Sequence, residues 1–236
     1  MDTIESGHGP ALIVAVHGIQ GTRASWQALA DRMAGEARFV LLNLRGRAQA
    51  VRGKGPEDYC LECFADDLAE VIHSHAGDNP FYLAGWSMGV SVSLEYLSRR
   101  GVPRPRGVIL MSGTPMLDHA HWFSQRGEAL LAEIAERETK LGLVNPADRD
   151  AVAWTWEAIS QTNQIDVLPR VTEPVLIVHG QDDDDSPWSH AQRLAQGLPD
   201  ATLHGLPGIG HSILKDATDD VARHLRDFVA RIERNT

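Results

Sequence analysis

Short, nearly continuous runs of apolar residues, rich in β-branched side chains, recur along the whole chain. They occupy residues 11–16 (ALIVAV), 39–42 (FVLL), 81–84 (FYLA), 108–111 (VILM) and 175–178 (VLIV). A strand that reads as a continuous apolar block is covered on both faces, which is typical of parallel sheets. Patterns with helical periodicity lie between the runs, at residues 26–34, 64–72, 90–97, 192–198 and 221–232. The alternation predicts an α/β fold with a doubly wound, mostly parallel sheet.

One segment, residues 114–170, interrupts this alternation because it contains no convincing strand pattern. Two helical stretches are predicted there, at residues 125–141 and 147–159. The pair Asn145-Pro146 has the form of an N-cap followed by the first residue of the second helix. The sequence therefore predicts a short helical insertion before the penultimate strand of the sheet.

The insertion is enriched in aromatic residues, since Trp122, Trp154 and Trp156 are half of the six tryptophans and Phe123 adjoins the first of them. One interpretation is a helical hairpin that buries its own aromatic side chains. The other is a lid that walls an apolar substrate pocket, and both can hold at once. We therefore divide the chain into an α/β core, residues 1–113 and 171–236, and a helical lid, residues 114–170.

Composition argues against several classes of protein. The net charge of −10 disfavours a nucleic-acid partner, because phosphate binding requires a basic face. The first ten residues, MDTIESGHGP, lack the apolar stretch of a secretory signal, and no run is long enough to span a membrane, so we expect a cytoplasmic protein. Cys60 and Cys63 form a lone C-x-x-C and are expected to be ordinary thiols. No metal-ligand pattern is found, and oligomeric state is left open.

The most specific motif is GWSMG at residues 85–89, a serine between two glycines directly after an apolar run. A strand–turn–helix segment with the pattern G-x-S-x-G is a nucleophile elbow, in which the serine adopts a strained conformation at a crowded point. Gly85 and Gly89 meet the need for small neighbours, and the following helix directs its positive end at Ser87. The alternative is a tight strand-to-helix turn without chemistry.

A serine hydroxyl becomes a nucleophile when a base takes its proton and a carboxylate orients that base. In the elbow architecture both partners follow the serine along the chain, the acid before the histidine. VLIVHGQDDDDSP, residues 175–187, places acids directly after a predicted strand. LPGIGHSIL, residues 206–214, places His211 in a glycine-bounded loop ahead of the final helix. The chain thus contains all three kinds of residue in the required order.

Four motifs together resemble the α/β-hydrolase superfamily, and the resemblance extends over residues 11–232. They are His17-Gly18 after the first predicted strand, G-x-S-x-G at 85–89, H-G-x-x-D at 179–183 and G-x-G-H at 208–211. The resemblance implies an α/β-hydrolase fold and a triad with Ser87 as nucleophile, His211 as general base and acid, and Asp183 as orienting carboxylate.

The acid is chosen from a run of four aspartates, residues 182–185. Asp182 is the alternative to Asp183, whereas Asp184 and Asp185 are expected in a solvated loop. A calcium site is the other interpretation of this acidic run.

The resemblance also implies how the site would bind an oxyanion and a substrate. The backbone N–H groups of Met88 and Ile19 are the expected oxyanion donors, with Gln20 as the competing residue, and His17 is expected to be structural. No cofactor and no metal are implied. The expected substrate-binding residues are Gln20, Trp86, Trp122, Trp154 and Trp156.

The sequence departs from the family pattern in two places. Many relatives have D-x-R-G-x-G after the second predicted strand, whereas this chain has Asn43 in place of the aspartate and Ala48 in place of the last glycine. Val90 stands where many relatives have another glycine after the elbow. We expect a different course for the loop at 49–55 and slight crowding at the start of the nucleophile helix.

These residues predict a serine hydrolase that acts through an acyl-enzyme. Its substrate would be a carboxylic ester, lactone or thioester with small to medium apolar groups. One alternative is a triad-dependent carbon–carbon bond hydrolase or lyase, similar to menaquinone-pathway synthases. The other is a non-catalytic receptor built on the same fold.

Overall fold

A computed structural model describes residues 2–143 and 146–234 and contains a single seven-stranded sheet in the order β1-β3-β2-β4-β5-β6-β7. Strand β1 pairs antiparallel with β3, and every other neighbouring pair is parallel. The predicted doubly wound, mostly parallel sheet is therefore confirmed. The strands are β1 (Asp2–Ser6), β2 (Ala11–Val16), β3 (Ala37–Asn43), β4 (Tyr82–Trp86), β5 (Gly107–Met111), β6 (Val175–Gly180) and β7 (Ala201–Leu206).

Helices connect the strands, and several begin at recognisable caps. Cys60 caps α2, since its Sγ accepts a hydrogen bond from the Cys63 N–H, so the C-x-x-C motif opens this helix. The helices are α1 (Gln27–Arg32), α2 (Leu61–His75), α3 (Met88–Ser98), α4 (Gly127–Leu141), α5 (Arg149–Ile159), α6 (Trp188–Gly197), α7 (Ile213–Asp216) and α8 (Thr218–Arg234).

The start of α5 differs from the prediction. Its cap is Asp148, whose side chain accepts a hydrogen bond from the Ala151 N–H. Pro146 precedes this cap, and Asn145 lies outside the described residues. The predicted cap was wrong because Asp148 places a carboxylate directly ahead of the helical run, which satisfies a free N–H of the first turn.

The two faces of the sheet support two separate hydrophobic cores. Along β2, Leu12, Val14 and Val16 point into one core together with residues of α2, α3 and α6, while Ile13 and Ala15 point into the other with residues of α1 and α8. Side chains alternate across a strand, so a strand buried on both faces must be apolar at every position. This explains why the central strands read as continuous apolar blocks.

Two helices, α4 and α5, lie in the segment between β5 and β6 and pack against each other. Helix α5 also packs on the turn at Pro56–Tyr59. Both helices contribute buried residues to the core that contains α2 and α3. Among the described residues, no helix combines the length and the hydrophobicity needed to cross a membrane.

Candidate active site

The three residues predicted as a triad follow three different strands of the sheet. Ser87 lies between β4 and α3, Asp183 in the loop after β6, and His211 in the loop between β7 and α7. These strands are parallel, so the loops that leave their carboxyl ends meet at one edge of the sheet. Topology thus brings together side chains that are far apart in the sequence.

Ser87 has a backbone conformation that is rare for a residue with a side chain, with φ 57° and ψ −122°. The surrounding turn leaves no room for side chains at the positions two residues before and two residues after Ser87. A Cβ on Gly85 would lie 2.3 Å from the Gly89 carbonyl oxygen, and one on Gly89 would lie 2.3 Å from the Val16 carbonyl oxygen. The two glycines of GWSMG are required because backbone atoms fill the space that a side chain would need.

Hydrogen bonds connect the three side chains in one line. Ser87 Oγ lies 2.9 Å from His211 Nε2, and His211 Nδ1 lies 2.9 Å from Asp183 Oδ2. Ser87 and Asp183 are each 4% exposed. A base within hydrogen-bond reach of the hydroxyl and a buried carboxylate on its other nitrogen are the elements of a Ser-His-Asp triad.

The Asp183 carboxylate is held by its own loop. Its Oδ1 accepts hydrogen bonds from the backbone N–H groups of Asp185 and Ser186, at 2.9 and 2.8 Å. Asp182, the alternative acid, is exposed, and its backbone N–H donates to Ile209. The geometry therefore places Asp183, and not Asp182, against the imidazole.

The loop after β2 lies against Ser87 and is held in place by His17. The His17 Nδ1–H donates to the Gly18 carbonyl at 2.8 Å, and its Nε2 accepts from the Leu44 N–H at 3.1 Å. Burial, assisted by Arg47, lowers the pKa of His17 to about 3, so the ring is neutral and can play both roles. A Cβ on Gly18 would lie 3.3 Å from Ser87 Oγ, which shows how closely the loop approaches the serine.

A second anchor holds the next peptide of this loop. The Arg47 guanidinium is fully buried and donates to the Ile19 carbonyl at 2.8 Å and to Thr155 Oγ1 of α5 at 3.2 Å. Among the described residues, no acceptor is found for the backbone N–H of Ile19 or of Met88, the first residue of α3. Both N–H groups are therefore free to bind another acceptor.

A cavity of about 400 Å³ adjoins His211. Trp86 forms one wall, with its ring 5.4 Å from the His211 ring and its Nε1–H donating to the His211 carbonyl. Most of the other walls are apolar, which is typical of small-molecule sites. The lining residues are Gln20, Gly21, Thr22, Ala24, Ser25, Trp86, Leu141, Gly142, Leu143, Pro146, His211, Ser212, Leu214 and Lys215.

The three tryptophans of the insertion do not line this cavity. Trp122 and Trp156 pack on each other with ring centres 5.6 Å apart, and both are largely buried. Trp154 packs 5.6 Å from the Tyr59 ring and beneath Arg52. The aromatic residues therefore stabilise the insertion and its contact with the core, and their contact with a substrate stays a prediction.

The expectation that Asp185 is solvated was wrong. Its carboxylate pairs with both terminal nitrogens of Arg137 on α4, and its carbonyl accepts a hydrogen bond from Trp122 Nε1 at 3.0 Å. Asp185 Oδ2 lies 3.8 Å from His211 Nε2. No sequence pattern indicates this contact, because Arg137 lies 48 positions before Asp185.

The acidic run does not converge on a cation. Asp183 faces His211, Asp185 faces Arg137, and Asp182 and Asp184 are exposed. Within residues 2–143 and 146–234, no three His, Cys, Asp or Glu side chains are grouped to hold a metal ion. The calcium-site interpretation therefore has no support in the geometry.

Comparisons with known proteins agree with this geometry. A family model described as the alpha/beta hydrolase family matches residues 13–224. A protein of Variovorax paradoxus (strain S110), named provisionally as carbamate hydrolase RutD, is 27% identical over an alignment of 264 positions that covers 95% of each chain. Pimeloyl-[acyl-carrier protein] methyl ester esterase of Nitrosomonas europaea is 24% identical over an alignment of 238 positions, which covers 88% of this chain and 90% of the esterase.

Solved structures show the same fold. The enol-lactonase from Burkholderia xenovorans LB400 superimposes with a TM-score of 0.79 over 97% of this chain and 96% of that chain, at 18% identity. The sheet order, the elbow and the aligned Ser87, His211 and Asp183 agree with the family match over most of the sequence. The protein belongs to the α/β-hydrolase family.

Proposed function

We propose that this protein is a serine hydrolase that cleaves a carboxylic ester, lactone or thioester through an acyl-enzyme. One observation carries the proposal: Ser87 Oγ, His211 and Asp183 are joined by 2.9 Å hydrogen bonds beside a largely apolar cavity. A serine in this arrangement is an activated nucleophile, because the imidazole can take its proton as it attacks.

Acylation would use each group at a stated atom. His211 Nε2 takes the proton of Ser87 Oγ as the oxygen attacks the substrate carbonyl carbon, and the imidazolium is stabilised by Asp183 at Nδ1. The free N–H groups of Ile19 and Met88 are the proposed donors to the oxyanion. The amino-terminal end of α3 adds a favourable dipole at the same point. His211 then gives its proton to the leaving group.

The dimensions of the cavity limit the substrate. About 400 Å³ lies near the lower end of the range for small-molecule sites, which favours small to medium groups. Gln20 and Trp86 are the proposed substrate contacts next to His211, and residues 114–170 are the proposed lid over the core formed by residues 1–113 and 171–236. The names of the relatives, a carbamate hydrolase, a methyl ester esterase and an enol-lactonase, support a carbonyl substrate with a heteroatom leaving group.

Labelling with a fluorophosphonate probe tests the nucleophile. We expect the wild-type protein to be labelled, Ser87→Ala to give no labelling, and His211→Ala to be labelled much more slowly. Hydrolysis of p-nitrophenyl esters of increasing acyl length then measures the size limit of the pocket. A wild-type protein with a cooperative melting transition but no labelling would refute the proposal.

A further inference from the structure

Asp185 is the point at which the helical insertion meets the catalytic residues. Its backbone N–H donates to Asp183 Oδ1, while its carbonyl and carboxylate accept from Trp122 and Arg137 of the insertion. The carboxylate also approaches His211, at 3.8 Å from Nε2. A single residue therefore contacts the triad acid, the triad base and the insertion.

The Asp185 carboxylate is held in a defined orientation. Arg137 approaches both of its oxygens, with a 2.8 Å bond from one terminal nitrogen to Oδ1 and a second bond to Oδ2. Such a two-point pair fixes the plane of a carboxylate. Burial acts to raise the pKa of Asp185, but Arg137 and His211 outweigh it and lower the pKa, so the group is ionised at neutral pH.

The position of the carboxylate relative to His211 suggests what it does. His211 Nε2 is the atom that exchanges protons with Ser87 and, in deacylation, with water. The 3.8 Å separation from Asp185 Oδ2 is too long for a direct hydrogen bond, and a polar gap of this size is one that a bridging water can span. The Asp185 and His211 side chains are 17% and 10% exposed, so both remain accessible.

We propose that Asp185 positions the water that hydrolyses the acyl-enzyme. This inference rests on the proposed serine hydrolase function. One O–H of the water hydrogen-bonds to His211 Nε2 and the other to Asp185 Oδ2, which orients a lone pair toward the acyl carbon. His211 takes the first proton as the water oxygen attacks that carbon. The bond to Ser87 Oγ then breaks, and His211 returns the proton to Ser87.

The role is specific to deacylation, because the acylation step involves no water. Asp185→Asn removes the charge and replaces one carboxylate oxygen with a donor, which cannot accept a hydrogen bond from the water. Asp184→Asn is the matched control, since it makes the same change at an exposed position one residue away. Arg137→Lys is a second variant, which keeps the positive charge but loses the two-point contact that orients Asp185.

The test follows the acyl group on Ser87 by intact-mass spectrometry after mixing with p-nitrophenyl butyrate. For Asp185→Asn we expect the acyl-enzyme to accumulate and to decay roughly 10- to 100-fold more slowly than in the wild type, the factor for losing a hydrogen bond to a charged group. Fluorophosphonate labelling, which reports nucleophilic attack alone, should stay within about threefold, since the triad keeps its geometry. Arg137→Lys should show the same change to a smaller extent, and Asp184→Asn none.

Two results would overturn the inference. One is an acyl-enzyme that decays at the wild-type rate in Asp185→Asn. The other is an equal fall in labelling and in decay, which would indicate a structural role. If Asp185→Asn does not fold, an acyl-enzyme that decays at the wild-type rate in Arg137→Lys would overturn the inference instead. Failure of the proposed function is recognised separately, because wild-type Ser87 would then be neither labelled nor acylated.

Discussion

Replacing Asp183 by asparagine is expected to remove most of the hydrolase activity while preserving the fold. Asp183 Oδ1 accepts hydrogen bonds from the backbone N–H groups of Asp185 and Ser186 and lies 3.1 Å from His211 Nδ1, whereas Oδ2 lies closer to Nδ1, at 2.9 Å. An asparagine has only one oxygen, and the two backbone donors will hold it. The amide NH₂ then faces His211, so the imidazole carries its proton on Nε2 and cannot take the proton of Ser87.

The structure gives the size of the effect. To place an oxygen at the closer position beside His211 Nδ1, which Oδ2 holds at 2.9 Å, the amide must turn and leave the N–H groups of Asp185 and Ser186 without an acceptor. A buried unsatisfied donor costs about 1–3 kcal/mol, so two of them cost about 2–6 kcal/mol. The competent orientation is therefore populated roughly 30- to 10⁴-fold less than the incompetent one. We expect kcat/KM to fall by at least this factor.

The assay compares p-nitrophenyl ester hydrolysis by the wild type, Asp183→Asn and Asp182→Asn. Asp182 is exposed, so its substitution should change kcat/KM by less than about threefold. A thermal melt of each variant checks that the fold is retained. An Asp183→Asn variant that folds and keeps more than about a tenth of the activity would refute the reasoning, because the backbone N–H groups of Asp185 and Ser186 would then not be holding the amide oxygen in place.

Two further predictions concern stability. Gly85→Ala should lower the unfolding free energy by about 1–3 kcal/mol in a urea titration, because the added Cβ would meet a backbone oxygen. The control is Gly35→Ala, which should leave the unfolding free energy nearly unchanged because the added Cβ would have no neighbouring atom within 4 Å. Burial lowers the pKa of His17 from 6.5 to about 3, so below pH 6.5 the unfolded chain binds a proton that the folded one does not. Between pH 6.5 and 5, His17 should therefore lower the unfolding free energy by about 2 kcal/mol. This loss should be absent from the His17→Asn variant. An equal pH dependence of the unfolding free energy in the two proteins would contradict the prediction.

The sequence predicts the centre of the sheet well and its edges poorly. Strand β2 begins and ends where the apolar run does, because both of its faces are buried. The edge strands β1 (DTIES) and β7 (ATLHGL) were missed, since each is only partly buried and carries polar residues. Their strand conformation depends on a neighbour that supplies hydrogen bonds, which local hydrophobicity does not report.

Long-range packing also explains a departure from the family pattern. Val90 occupies the place of a glycine, and a Cβ on Gly113 would lie 2.3 Å from its Cγ2. The bulk added at the start of α3 is therefore accommodated by a glycine that follows β5. Neither residue is informative alone, because the complementarity exists only after the two elements have packed.

The acidic run after β6 shows why the chemistry of a site is more predictable than its specificity. Asp183, the proposed triad acid, lies three residues after the glycine that ends β6, so motif spacing is enough to find it. Asp185, two residues later, takes its orientation from Arg137 on a helix whose packing no motif encodes. If Asp185 positions the hydrolytic water, a shift of α4 would change deacylation while the bonds of Ser87, His211 and Asp183 stay in place. Substrates that displace the insertion would then acylate the enzyme normally and be released slowly, so their selection would occur in the second half of the reaction.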